Sequence, residues 1–406
     1  MSSETALILG AGQTGAYAAM ALRDAGFAGR VVMIGEEAHA PYDRPPLSKA
    51  MLTEEPPPAP VAFHDPAKVA ERRIELRLGT RAEGIDRAAA RVRLHGGQAV
   101  GYDRLLIATG GRARRLGLPG GERVLTVRTL EDAAAIRAQL RPGARVVCIG
   151  AGVIGLEIAS SARARGAEVT VVEAGPGCMG RSLTPEFAAW IEALHRRAGV
   201  AFEFGAAIAE ITPDAVVTAT ARHAADVVIA GIGIVRNTEI AAEAGLAVEN
   251  GVLVNEYAAT ADPAVFAAGD VAAFFHPLYG RVLRLEAWRH AQNHGIAAGR
   301  AMAGDAKPYD DLPWFWTDQH GVNLQLAGLV DAAVTTVHRG DPACASFAAF
   351  HLDAAGRVVA ATGINAPREV RAAQALIPLA RPVDAAALAN PATNLQRLVA
   401  DLRKGA

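Results

Sequence analysis

The sequence predicts an α/β chain made of two copies of one strand–turn–helix–strand unit, followed by a separate α+β domain. Three observations lead there. Near the N-terminus an apolar strand breaks into Gly10-Ala11-Gly12-Gln13-Thr14-Gly15. The same order returns at Gly150-Ala151-Gly152-Val153-Ile154-Gly155. Beyond Pro313 the chain changes to Trp and Phe followed by alternating apolar segments, the pattern of a sheet of another kind.

Taken in order, Leu7 to Leu9 is the first strand, and an Ala-rich amphipathic helix runs to about Asp24. Val31 to Ile34 is the second strand and ends at Gly35-Glu36. Arg91 to Leu94 and Tyr102 to Ala108 read as strands, with Gly96-Gly97 and Thr109-Gly110-Gly111 as turn signals. Pro56-Pro57-Pro58-Ala59-Pro60 is a surface connection inside the first domain. The second unit comprises the strand Arg145 to Ile149, a helix to about Arg165, and the strand Val169 to Val172, which ends at Glu173. Ala201 to Phe204 and Asp226 to Ala230 follow as strands, the latter running into Gly231-Ile232-Gly233. Val265 to Ala267 stops at Ala268-Gly269-Asp270, and the last domain holds strands at Asn323 to Ala327, Phe347 to Leu352 and Val358 to Thr362.

A strand that turns tightly into a helix needs glycine where φ is positive, where the backbone approaches a pyrophosphate, and where helix packs on strand. The helix start then offers free N–H groups and a positive dipole end to the phosphates. A lone GxGxxG says little. Here each copy follows an apolar strand, opens a helix, and precedes by about twenty residues an acid placed to bind a ribose diol. Those acids are Glu36 and Glu173, so two Rossmann-type dinucleotide modules are expected. In Glu173-Ala174-Gly175-Pro176 no arginine stands beside the acid. A 2′-phosphate would meet a carboxylate without a counter-charge, which favours NADH over NADPH.

Composition narrows the partners. At 406 residues the chain exceeds what one hydrophobic core usually organises, and 51% hydrophobic with 20% charged residues excludes disorder. A net charge of −1 argues against wholesale binding to nucleic acid or an anionic membrane. No apolar run is long enough to span a bilayer, and the short polar start, Met1 to Thr5, lacks the order of an export signal. Cys148, Cys178 and Cys344 are far apart, offer neither a CxxC pair nor metal-ligand spacing, and suit a reducing, cytoplasmic compartment.

Five segments carry a resemblance: Pro41-Tyr42-Asp43-Arg44-Pro45-Pro46-Leu47-Ser48-Lys49, Arg128-Thr129-Leu130-Glu131-Asp132, the second glycine turn with Leu156-Glu157, Phe266-Ala267-Ala268-Gly269-Asp270-Val271, and Pro313-Trp314-Phe315-Trp316-Thr317-Asp318-Gln319. Together they resemble the ferredoxin reductases of bacterial multicomponent oxygenases, over nearly the whole chain. The similarity is strongest to reductase components of aromatic ring-hydroxylating dioxygenases, such as those acting on biphenyl and phenylpropionate. It extends to putidaredoxin reductase, which serves a haem-thiolate monooxygenase.

The resemblance implies a glutathione-reductase-like fold. Residues 1–113 and 236–312 would form an FAD-binding domain, 114–235 an NAD-binding domain, and 313–406 a C-terminal interface domain. The positions carried over for FAD are Gly10, Gly12, Thr14, Gly15, Glu36, Arg44, Pro46, Lys49, Ala82, Thr109, Gly110, Arg128, Asp270 and Trp288, with the main chain alone borrowed at Ala82 and Trp288. Those for NAD are Gly150, Gly152, Val153, Ile154, Gly155, Glu157, Glu173, Arg181 and Gly233. The implied activity moves a hydride from NADH to FAD and releases the electrons singly to a [2Fe-2S] ferredoxin. A Rieske-type ferredoxin feeding an aromatic-ring dioxygenase is favoured, and the ferredoxin of a cytochrome P450 monooxygenase is the alternative.

Each assignment has a plainer rival. Lys49 could be a solvated lysine after a Pro-Pro turn, and Glu157 an acid in the first turn of its helix. A pyrophosphate at that helix start would repel a carboxylate, so Glu157 calls for a specific partner, and Lys49 is the candidate. Asp270 could be a helix N-cap. Trp316 is expected at the electron exit, with Arg289 or Arg339 steering an acidic partner, but Trp314 and Trp316 could also be core aromatics. Flavoprotein dithiol reductases share this pattern yet need a cysteine beside the flavin. Tyr42 to Lys49 contains none, and Cys148 lies inside a strand as a small apolar residue. A redox interaction protein resembling apoptosis-inducing factor is the remaining rival, without the basic stretch that partner binding would use.

Overall fold

A computed structural model describes residues 4–404. Residues 1–3, the start of the stretch read as lacking an export signal, and residues 405–406 lie outside the described residues. In chain order the principal elements begin with β1 (Thr5–Leu9), α1 (Gln13–Asp24), β2 (Arg30–Ile34), β3 (Ile74–Arg77), β4 (Arg104–Ile107) and β5 (Leu125–Thr126). Next come β6 (Arg145–Ile149), α2 (Val153–Ala164), β7 (Glu168–Glu173), α3 (Pro185–Arg197), β8 (Val200–Phe204) and β9 (Val227–Ala230). The chain continues with β10 (Val265–Ala267), α4 (Trp288–Met302), β11 (Trp314–Gln319), β12 (Val322–Gly328), β13 (Thr335–Arg339), β14 (Phe347–Leu352), β15 (Val358–Ile364) and α5 (Pro367–Leu376).

The chain divides into two compact units. The first contains Met1–Asp43, Ala59–Arg112 and Val235–Asp311. Its main sheet has the order β10–β4–β1–β2–β3, and every pair is parallel. Ala6, Leu7 and Ile8 are all fully buried, because a parallel sheet covered on both faces needs continuous rather than alternating apolar residues. Helix α4 lies close on α1. A Cβ at Gly295 would fall 2.5 Å from the Thr14 carbonyl oxygen, so a larger residue there would push the helices apart.

The second unit contains Arg44–Pro58, Ala113–Ile234 and Leu312–Ala406. One sheet, β8–β7–β6–β9–β5, is again wholly parallel. The other, β11–β12–β15–β14–β13, is antiparallel and carries α5. The expected NAD-binding and C-terminal parts thus fall in one unit. Residues 44–58, expected with the FAD-binding part, are also here, for reasons the sequence pattern does not display. Arg137 donates to the Met51 carbonyl at 3.1 Å and to Glu55 at 2.6 Å, and Ser161 Oγ donates to the Ser48 carbonyl at 2.6 Å. Among the described residues no helix is long and apolar enough to cross a membrane.

Candidate functional site

The first glycine turn joins β1 to α1. Gly10 has φ +115°, and a Cβ there would lie 2.1 Å from the Ala108 carbonyl oxygen. At Gly15 a Cβ would lie 2.0 Å from the Gly10 carbonyl oxygen, so helix and turn touch backbone to backbone. Gly12 behaves oppositely, since a Cβ there would meet nothing within 4 Å. Open space therefore faces the start of α1, whose first amides have no intrahelical partner and whose N-cap Gly12 has no side chain to offer them. This is the cradle a pyrophosphate fits.

Around that turn, Thr14 packs against Gly269, where a Cβ would come within 2.2 Å of its hydroxyl oxygen. Asp270 lies inside a short 3-10 turn, Gly269–Val271, rather than capping a helix, so the N-cap reading is corrected. The Gly269 N–H donates to His294 Nδ1 at 3.2 Å. Trp288 opens α4, its indole Nε1 donates to Asp43 at 2.7 Å, and its carbonyl accepts from Gln13 Nε2 at 3.0 Å. Thr109 and Asn237 hold each other through two bonds of 2.8 and 3.0 Å, and Asn237 N–H reaches the Gly110 carbonyl at 3.0 Å. Ala82 begins a strand, Ala82–Asp86. Glu36 remains in solvent, its side chain 73% exposed and 3.9 Å from Arg81. Gln13, Asp43, Asn237 and His294 were not foreseen, because each acts through a partner distant in sequence.

The second turn repeats the first. Gly150 has φ +97°, a Cβ at Gly155 would lie 2.0 Å from the Gly150 carbonyl oxygen, and one at Gly152 would meet only the Gly231 carbonyl oxygen at 3.7 Å. Val153 and Ile154 open α2, with Ile154 exposed at 41%. Glu173 is fixed by the turn itself. It accepts from the Ala151 N–H and the Gly175 N–H, each at 2.6 Å. Gly233 takes φ +90°, and the exposed Arg181 guanidinium stands 3.7 Å from where its Cβ would be.

The segment at Lys49 lies in this same unit. Arg44 donates to the Arg128 carbonyl, and Arg128 precedes the Thr129–Asp132 capping box of the helix Leu130–Gln139, donating its own N–H to Asp132 at 2.8 Å. The Pro46 carbonyl accepts from the Lys49 N–H at 3.1 Å. Lys49 Nζ meets Glu157 Oε1 at 2.7 Å. Glu157 sits beyond the first turn of α2 and is 2% exposed, which corrects the reading of it as a dipole-favoured acid in that turn. Burying a carboxylate requires compensation, and three donors supply it: Lys49 Nζ, Ser48 Oγ, and Thr317 Oγ1 at 2.7 Å. Ser48 and Thr317 were missed as ligands of Glu157 although both lie in quoted motifs. The cue was their residue type, since hydroxyls that end up buried need an acceptor.

Trp316 is half-buried, stacks on Trp314 with ring centroids 5.3 Å apart, and donates to Asp318 at 3.1 Å. The two steering arginines do not survive as free charges. Arg339 is 9% exposed, and its guanidinium donates to the carbonyls of Leu388, Asn390, Pro391 and Thr393, where a short helix ends and unpaired carbonyls need donors. Arg289 forms a two-point pair with Asp311 at 2.8 and 3.1 Å. All three cysteines are free thiols. Burial pushes the Cys148 thiol up to about 12, and burial with the nearby Glu192 and Glu173 carboxylates does the same for Cys178. Among the described residues no cluster of three or more ligating side chains could hold a metal.

Two parallel sheets with paired glycine cradles and an appended antiparallel domain define a two-dinucleotide oxidoreductase. The chain belongs to the pyridine nucleotide-disulphide oxidoreductase family, whose model matches residues 5–295, and a reductase C-terminal model matches 314–399. It is 42% identical over 404 residues to the ferredoxin–NAD(+) reductase component of the anthranilate 1,2-dioxygenase system of Burkholderia cepacia, covering 98% of this chain and 99% of that one. It is 38% identical to the corresponding component of the biphenyl dioxygenase system of Paraburkholderia xenovorans, covering 98% of each. The solved structure of the covalent putidaredoxin reductase–putidaredoxin complex matches with a TM-score of 0.93 at 34% identity, covering 99% of this chain and 100% of that chain. Members of this family use FAD and NAD(H).

Proposed function

We propose that this protein takes a hydride from NADH onto FAD and hands the electrons singly to a [2Fe-2S] ferredoxin of the Rieske type, which feeds an aromatic-ring dioxygenase. The observation that carries this reading is two glycine cradles of one geometry in a chain with no paired thiol. The chain has no dithiol to receive the electrons, which supports an external acceptor. The reductases of the anthranilate and biphenyl systems favour a dioxygenase, and the putidaredoxin reductase match keeps a P450-type ferredoxin as the second reading.

FAD, when bound, supplies the conversion of a two-electron donor into one-electron steps. The chain's own residues bind and orient. The first turn, with Thr14, Asp270 and Trp288, holds FAD. The second turn holds the NADH pyrophosphate, and Glu173 takes the ribose diol. Lys49 and Glu157 stand at the reacting end, where a fixed ion pair keeps charge in place without a mobile water. Trp316 lies on the exit path. Three free, widely spaced thiols support a cytoplasmic setting for the reaction.

The test is ferredoxin-dependent reduction of cytochrome c by the purified, FAD-loaded protein and NADH. A Rieske-type ferredoxin should support it faster than a vertebrate-type one. Cytochrome c reduction indifferent to either ferredoxin would overturn the reading. In Trp316→Leu, loss of the ferredoxin reaction with ferricyanide reduction retained supports the exit role, and parallel loss of both removes it.

A further inference from the structure

Behind Glu157 runs a line of buried polar side chains that the reaction described above does not use. Thr317 and Gln319 are 1% and 2% exposed and lie two apart on β11, so they share one face of the strand. Gln319 Nε2 is 2.9 Å from Thr317 Oγ1, and Gln319 Oε1 is 2.7 Å from Nε2 of His195, a fully buried residue of α3. His195 Nδ1 is 3.1 Å from Nε2 of His320. His320 occupies the two-residue turn between β11 and β12 with φ 50°, followed by Gly321 at φ 75°, the left-handed pair such a hairpin needs. Its N–H donates to Ser160 Oγ at 2.8 Å, and the residue lines a surface cavity of about 540 Å³ with Lys49, Thr53, Arg163 and Asp318.

The inventory of donors fixes one direction for the whole line. Glu157 Oε1 only accepts, so Thr317 spends its single hydrogen on it and can only accept from behind. Gln319 must therefore present its NH2 to Thr317 and its carbonyl to His195. A carbonyl cannot donate, so His195 carries hydrogen on Nε2. Its Nδ1 then accepts from Nε2–H of His320. Both rings are neutral in this arrangement. Burial agrees, pushing His195 down to about 4, and burial with the Arg163 charge lowers His320.

We propose that Thr317, Gln319 and His195 are positioning residues for the Lys49–Glu157 pair: a one-way hydrogen-bond chain, anchored at the His320 turn, that aims every donor at Glu157 and fixes which oxygen faces Lys49. The chain rests on the reading that this pair serves hydride transfer. It is not a proton path, because the Gln319 amide would have to donate from its carbonyl end. Its work is to fix Glu157 Oε1 against Lys49 while Ser48 holds the other oxygen.

The test combines kinetics with the tautomers of the rings. NADH-driven bleaching of the flavin, measured per bound FAD, should slow about tenfold in Thr317→Val, the loss expected when one hydrogen bond to a charged group disappears. Thr317→Ser should restore it, and the NADH concentration for half-maximal rate should stay unchanged. Unchanged bleaching in Thr317→Val alongside slowed bleaching in Glu157→Gln would overturn the inference while leaving the pair in the site. Unchanged bleaching in Glu157→Gln would instead remove the pair from the reaction and the inference with it. Nitrogen-15 histidine spectra of the wild-type protein give a readout independent of turnover. His195 and His320 should both be neutral Nε2–H tautomers, and His195 should lose that preference in Gln319→Leu. A wild-type His195 protonated on Nδ1, or cationic at neutral pH, would refute the chain's direction.

Discussion

The two glycine turns share a backbone and differ in how each holds its acid. Gly10 and Gly150 both take positive φ, and a Cβ at Gly15 or Gly155 would fall 2.0 Å from the carbonyl oxygen of Gly10 or Gly150. Yet Glu173 is clamped by two backbone amides, whereas the Glu36 side chain stands 73% exposed beside Arg81. The helices differ as well. Helix α1 buries only small and apolar residues with Thr14, but α2 buries Glu157 among three donors. Glycine spacing sets the cradle, and the side chains around it decide how far each site is organised before a nucleotide arrives.

The largest expected effect treats both units alike. His290 in the first unit, and His195 and His351 in the second, are pushed by burial down to about 4, and His294 is lowered well below its usual value for the same reason. A histidine depressed in the fold contributes stability above pH 6.5, and that stability is lost as pH falls towards the folded value. Each of the three should cost roughly 3 kcal/mol between pH 6.5 and about 4. Denaturant unfolding across that window should show stability falling steeply with acid. A flat profile would mean these rings protonate within the fold.

Next in size are Gly15→Val and Gly155→Val. Each adds atoms where a Cβ already lies 2.0 Å from backbone, so each should lose about 3 kcal/mol or more, read as lowered thermal stability. If only one variant suffers, the two turns are not the same device. The acids give the smaller and asymmetric effect. Glu173→Ala removes two backbone hydrogen bonds and should cost about 2 kcal/mol, while Glu36→Ala should stay within about 0.5 kcal/mol. Equal thermal shifts would erase the distinction between the acids.

Much of this was legible in the sequence. Apolar runs located the parallel strands to within two residues, because strands covered on both faces leave little freedom in composition, and the antiparallel strands of the last domain were located as closely from their apolar, turn-bounded segments. Glu157 was legible as an acid in need of a partner, and Lys49 is that partner at 2.7 Å. What stayed hidden depends on contacts far apart in the chain. Gln319 and His195 are 124 positions apart, and no local pattern pairs them. Arg339 misled because arginine is usually solvated, and only the fold reveals the four carbonyls that hold it.

The most direct test of the account asks whether the second turn reads the nucleotide as its acid implies. Bleaching of bound FAD by NADH and by NADPH, at equal concentrations in a stopped-flow experiment, should be at least about tenfold faster with NADH, and Glu173→Ala should narrow the gap. Equal rates with the two nucleotides in the wild-type protein would contradict the role given to Glu173 and, with it, the assignment of the second turn to NADH.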